Sequence, residues 1–213
     1  MVDEQNSSGL GDLGRVALVM IDYQVGLCHT GPLCLAPPLA EQVQARGVLR
    51  TAADVLDSAR RAGVLVVYAR LAFDAQYVFR TNRTQRFDRY PAERLLQYGD
   101  DAAQIVPELE PADEPVITKG CVDPFIGTPL LPTLLGRGIG TVVLGGVSTN
   151  LAVESAARHA ADSGLQPVVV ENMCASFRTD LHELAVEHTL PMFARVVSAS
   201  DVTSSFGVLT AAS

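Results

Sequence analysis

Asp22, Lys119 and the turn Gly145-Gly146-Val147-Ser148-Thr149-Asn150-Leu151-Ala152 are the parts of this chain best suited to chemistry. Each follows a short apolar run: residues 16–21 lead to Asp22, 115–118 to Lys119, and 141–144 into the glycine pair. A carboxylate can move a proton and an ammonium can support developing charge. A turn that opens a helix offers backbone N–H groups and the positive end of the helix dipole to an oxyanion. Each feature also has a plain reading: Asp22 as a helix cap, Lys119 as a solvated strand end, and the turn as an ordinary glycine-rich loop.

The elements that must position these residues follow from hydrophobic periodicity. The run 16–21 is apolar without alternation and short, as a central parallel strand buried on both faces must be. Residues 39–62 place Val43, Leu49, Ala53, Leu56 and Ala59 near one helical face, and Gly63 stops the helix. Strands are expected at 64–68, 115–118, 141–144, 167–171 and 195–197, with helices at 130–136, 150–163 and 180–190 between or beside them. Between 73 and 113 the pattern weakens. Arg80, Arg83, Arg86, Arg89 and Arg94 alternate there with Phe79, Phe87, Tyr90 and Tyr98, which reads as an excursion over the site.

Strands alternating with helices imply an α/β fold, a three-layer α/β/α sandwich around a mostly parallel, doubly wound six-stranded sheet. Its site is expected at the carboxyl ends of the strands. All three marked positions fall at such ends. Residues 1–14 are expected to be a flexible leader and 15–213 a single domain.

Composition narrows the partners. Sixteen basic against 24 acidic residues give a formal charge of −8, which opposes binding to nucleic acid or an anionic membrane. Residues 1–14 lack the basic start and apolar run of a secretory signal, and no run approaches the roughly 20 apolar residues that span a bilayer. A cytoplasmic protein with a small-molecule substrate is expected. Cys28, Cys34, Cys121 and Cys174 show neither zinc-site spacing nor disulfide density and read as reduced thiols.

Val19-Met20-Ile21-Asp22-Tyr23-Gln24, then Thr118-Lys119 followed by Phe125, Gly127, Thr128 and Leu130, then residues 146–157, resemble in order three motifs of the isochorismatase-like cysteine hydrolase family. The likeness runs from about residue 16 to 202. It implies that Asp22 is a general base, that Lys119 supports charge, and that Ala152 stands at the position of the attacking cysteine. It further implies a cis peptide at Val147-Ser148 and an oxyanion site made by the backbone N–H groups of Ser148 and Ala152. An alanine side chain has no lone pair with which to attack, so covalent catalysis there is excluded. Cys28, Cys121 and Cys174 read as small buried fillers rather than replacement nucleophiles.

The metal-dependent nicotinamidase branch carries an aspartate and histidines after strand two, where this chain reads Leu71-Ala72-Phe73-Asp74-Ala75-Gln76. No metal and no cofactor are therefore expected. The isochorismatase branch instead has a small residue at the nucleophile position and a vinyl ether substrate. Vinyl ether hydrolysis starts with protonation at carbon and needs an acid and stabilising charge but no nucleophile. Asp22 would be that acid, provided burial lifts its pKa. Gln76, Arg80, Arg83 and Arg86 in the excursion, with Phe125, are the candidates for holding an anionic substrate. Two other readings stay open: an amide-hydrolysing enzyme whose nucleophile is replaced by Ala152, and a catalytically silent binding protein. A homo-oligomer is expected by resemblance.

Overall fold

The run Val16–Ile21 forms β1, buried along its whole length, because hydrogen-bonded strands flank it and helices cover both its faces. In the computed structural model, which describes residues 13–211, β1 lies between β2 (Leu65–Leu71) and β4 (Thr141–Val147). With β3 (Val116–Lys119), β5 (Gln166–Ala175) and β6 (Arg195–Val197), they form one six-stranded sheet ordered β3-β2-β1-β4-β5-β6. Every neighbouring pair is parallel. The chain builds outward from β1 in one direction and from β4 in the other, so the order reverses between them. Such a reversal opens a crevice at the carboxyl ends of the strands.

The period of two along β1 divides the core. Leu18 and Met20 pack toward α3 (Val48–Arg61) and α8 (Ala199–Ala211), where Val55, Leu56, Val202 and Phe206 meet them. Ala17, Val19 and Ile21 face the other layer, built on α5 (Leu130–Gly136) and α6 (Glu154–Asp162) through Leu134, Ala156 and Ala160. The α/β/α architecture stands as the apolar runs imply.

Several boundaries differ, each for a local reason. The helix expected over 39–62 is two helices, α2 (Pro37–Ala45) and α3, because Gly47 takes a left-handed conformation (φ 64°) between them. β4 runs on through Gly145 and Gly146 to Val147, and β5 is twice its expected length, with a register shift between Leu144 and Gly146. The glycines are required there. A Cβ on Gly146, whose φ is 152°, would lie 2.1 Å from the Ile21 carbonyl oxygen, and one on Gly145 would lie 2.7 Å from Met173. The helix expected from 150 starts as a wider π-type turn, Thr149–Val153, before α6. The helix expected at 180–190 is α7 (Thr179–Leu184) followed by a π-type turn.

The excursion is a packed cap. Two short helices belong to it and its approach, α1 (Val25–Cys28) and α4 (Gln85–Glu93). Phe73 sits 5.2 Å from both Tyr77 and Tyr90, ring centre to ring centre, and Phe87 joins Tyr90 at the same distance. Leu71, Leu96 and Ala103 complete this third apolar cluster. Gly120 closes the cap on the sheet, since a Cβ there would stand 1.9 Å from the Phe79 carbonyl oxygen. The leader expected over 1–14 lies, up to residue 12, outside the described residues. Among the described residues no helix is long and apolar enough to cross a membrane.

Candidate active site

Asp22 leaves β1 in the left-handed region (φ 56°), a conformation that short polar side chains tolerate better than most, and its N–H donates to the Ala69 carbonyl at 2.8 Å. Lys119 ends β3, in register with Leu71 of β2. β2 separates the two strands by about 10 Å at ordinary strand spacing, so only a long side chain reaches across the end of β2 to Asp22. Lys119 Nζ donates to Asp22 Oδ2 at 2.7 Å, to the Val122 carbonyl at 2.7 Å and to the Cys121 carbonyl at 3.1 Å. Three protons meet three acceptors, which suits a charged ammonium.

Both groups are buried, Lys119 being 2% and Asp22 5% exposed. The plain readings of a capping aspartate and a solvated lysine therefore do not hold. Burial pushes the Asp22 carboxyl above the ordinary aspartate range, while the Lys119 charge and hydrogen bond pull it down; burial is the larger effect. Asp22 Oδ1 has no hydrogen-bond partner among the described residues, nor has the buried Ser148 Oγ. One carboxyl oxygen is thus held by the lysine and the other is uncommitted. Gln24, fully buried, clamps the end of β2. Its Nε2 donates to the Leu71 and Ala103 carbonyls and its Oε1 accepts from the Leu71 N–H, all at 2.9 Å.

The third component arrives from β4. The Val147-Ser148 peptide is cis, as the family resemblance implies, and the π-type turn begins at Thr149. Ser148, Leu151 and Ala152 line a cavity of about 290 Å³ together with Asp22 and Lys119. The rest of its wall is mainly apolar, with Leu35, Leu39, Phe87, Tyr90, Val122 and Phe177 contributing. Besides Lys119, two cations stand at it, Arg86 and Arg89 of α4. Arg89 is engaged with Glu93 at 3.0 Å and with the Leu35 carbonyl at 3.2 Å. Arg86 rests over the Phe177 ring, 5.0 Å from its centre, and no carboxylate among the described residues pairs with it.

The four residues expected to hold substrate beside Arg86 are elsewhere. Arg80 is buried and its Nη1 donates to Asp88 at 2.8 Å. Gln76 and Arg83 are exposed and outside the cavity wall. Phe125 stacks on His159, ring centres 4.9 Å apart, and supports the loop after β3. The cause is where α4 begins. A three-residue spacing puts arginines on one face only within a helix, and the helix starts at Gln85, so the rule reaches Arg86 and Arg89 but neither Arg80 nor Arg83.

No cysteine among the described residues lines this cavity. Cys28 Sγ lies 3.8 Å from the Asp22 carbonyl oxygen, and burial pushes its thiol far up; burial likewise pushes Cys174 up to about 12. Cys121 Sγ faces the Asp123 carbonyl at 3.5 Å. Three of the four histidines serve structural pairs: His29 with Glu108, His159 with Asp123, and His182 with Thr149 and Glu171; His188 is exposed.

A family model described as the isochorismatase domain matches residues 16–201. The chain is 32% identical over 197 residues to the isochorismatase family protein YecD of Escherichia coli O157:H7, covering 87% of this chain and 93% of that one. It is 29% identical over 170 residues to the maleamate amidohydrolase of Pseudomonas putida, covering 79% and 76% respectively. Among solved structures, an isochorismatase family protein from Desulfovibrio vulgaris superposes with a TM-score of 0.78 at 25% identity, over 91% of this chain and 98% of the other.

Proposed function

The chain belongs to the isochorismatase family and is a hydrolase, and from that premise we propose that it hydrolyses a small carboxylate-bearing metabolite by acid/base catalysis at Asp22, without a covalent intermediate. One observation carries this reading: a buried carboxyl shifted upward by its surroundings opens onto the same cavity as Ala152, and no thiol lines that cavity among the described residues. In this reading Ala152 occupies the position at which other family members attack with a cysteine. The N–H groups of Ser148 and Ala152 then face a substrate oxygen rather than a bound acyl group.

Vinyl ether hydrolysis fits these parts. Asp22 donates its proton to the terminal alkene carbon, the resulting oxocarbenium ion takes up water, and the hemiketal so formed collapses to pyruvate and an alcohol. Lys119 does not anchor the substrate, because its three protons are already placed. That task falls to Arg86, the cation with no carboxylate partner. Arg86→Ala is expected to raise KM about tenfold or more while kcat stays within about threefold, since a charge-assisted contact made equally in ground and transition states affects binding alone. Steady-state kinetics check this, and an unchanged KM removes Arg86 from the role.

A second reading, hydrolysis of an amide C–N bond, is favoured by the likeness to maleamate amidohydrolase. The two are separated by incubating the protein, Asp22→Asn and Ala152→Cys with isochorismate and a panel of small amides, following pyruvate and ammonia independently. Pyruvate from the native chain that vanishes in Asp22→Asn is the expected result. Ammonia appearing only with Ala152→Cys, where a thiol at a helix N-terminus gains nucleophilicity, would replace the first reading by the second. No product from the native chain or either variant would leave a binding role.

A further inference from the structure

His182 is the one buried histidine of the described chain, 1% exposed, and the chemistry at Asp22 does not use it. Both ring nitrogens are engaged. Nδ1 lies 2.7 Å from Thr149 Oγ1, and Nε2 lies 3.1 Å from Glu171 Oε1. Arg46, at the end of α2, pairs with the same Glu171 oxygen and donates from Nε to the Cys174 carbonyl at 3.1 Å.

The protons on this chain can be assigned from chemistry. Glu171, paired with a guanidinium, is a carboxylate and only accepts, so Nε2 of His182 carries the hydrogen. In a neutral imidazole Nδ1 is then an acceptor and takes the Thr149 hydroxyl proton. Burial holds the ring below the ordinary histidine range, against the upward pull of Glu171, which agrees with a neutral ring. The hydrogen bonds thus run in one direction, from Thr149 through His182 to Glu171, with Arg46 fixing the far end.

Thr149 directly follows Ser148 and opens the π-type turn that carries Ala152. It is fully buried and does not line the cavity, so its hydroxyl, although bonded to a histidine, is placed to hold backbone rather than to attack substrate. Of the turn residues that do line the cavity, Ser148 precedes it in the chain, and Leu151 and Ala152 follow it.

We propose that His182 is a positioning residue, which through Thr149 anchors the Ser148–Ala152 turn on Glu171 and Arg46 and keeps its N–H groups in register for turnover. The proposal rests on the reading of that turn as the oxyanion site. The histidine acts on the site from α7, more than 30 residues along the chain, and neither it nor Thr149 lines the cavity. A displacement of about 1 Å at reacting groups can cost on the order of a hundredfold in rate, so this tether should appear in kcat rather than in KM.

The test is a set of four variants assayed on isochorismate by pyruvate release. Thr149→Val, which exchanges one hydroxyl for a methyl, and His182→Leu are each expected to lower kcat about 10- to 100-fold with KM within about threefold. The double variant should be no worse than the poorer single, because both remove one tether. Thr149→Ser, which retains the hydroxyl, should recover most of the lost kcat. Amide NMR provides a readout independent of turnover: the Ser148 and Ala152 N–H resonances should move in Thr149→Val and stay near native in Thr149→Ser. If His182→Leu does not fold, Thr149→Val alone decides. Native kcat and unmoved Ser148 and Ala152 resonances in folded Thr149→Val would overturn the proposal. Moved resonances in a protein whose Asp22→Asn variant turns over normally would instead uphold the tether and sink the acid/base reading.

Discussion

Asp22→Asn is expected to lower turnover by about 10²- to 10⁴-fold, the usual contribution of a positioned acid or base. The exchange keeps the shape, and the asparagine carbonyl can still accept from Lys119, so the loss reports the proton and not the architecture. Far-ultraviolet circular dichroism and a melting curve accompany the assay for that reason. The pH profile sharpens the prediction. The folded carboxyl is held above its ordinary value of 3.8 by burial, which outweighs the pull of Lys119. An acid with a raised pKa is loaded below that folded value and emptied above it, so kcat should decline as pH rises through it. Stability has the same sign: the contribution of this group is full below the unfolded value and is lost as pH rises through the folded one. A native-like rate in folded Asp22→Asn, or a kcat that climbs with pH across this range, would remove Asp22 as the donor.

Lys119→Met should be the most destabilising substitution at the site, by about 3 to 5 kcal/mol near pH 8, as for other buried pairs broken from one side. Methionine replaces most of the packing volume. What is lost is the counter-charge to Asp22 and the donor to the Cys121 and Val122 carbonyls, which hold the loop after β3. With the lysine gone, the effect that lowers the Asp22 pKa disappears and burial raises it further, so the carboxyl can escape an unpaired charge by taking a proton. The deficit should therefore be smaller at pH 5.5 than at pH 8. Urea unfolding at the two values measures this. A loss below about 1 kcal/mol at both would show that the pair carries little of the stability of the strand ends.

The sequence by itself determined the sheet and the places where chemistry was possible. Unbroken apolar runs as short as 16–21 read as strands covered on both faces, and their alternation with helical segments implies parallel crossovers; Asp22, Lys119 and the glycine turn lie at the ends of those runs, where such a sheet opens. Tertiary structure decided which groups meet. Lys119 reaches Asp22 across 97 positions and an intervening strand, and only the assembled sheet makes that distance short enough for one side chain. The arginines divided in the same way: Arg86 and Arg89 share the face of a helix that opens on the cavity, while Arg80, ahead of that helix, is buried against Asp88. The tether from Thr149 to His182 was equally invisible, because a histidine in a polar run such as Thr179-Asp180-Leu181-His182-Glu183 resembles any surface histidine until α7 packs it against β5. Periodicity is a local property and is written residue by residue, whereas the pairing of polar groups depends on packed distances between segments far apart in the chain, and those exist only once the layers close.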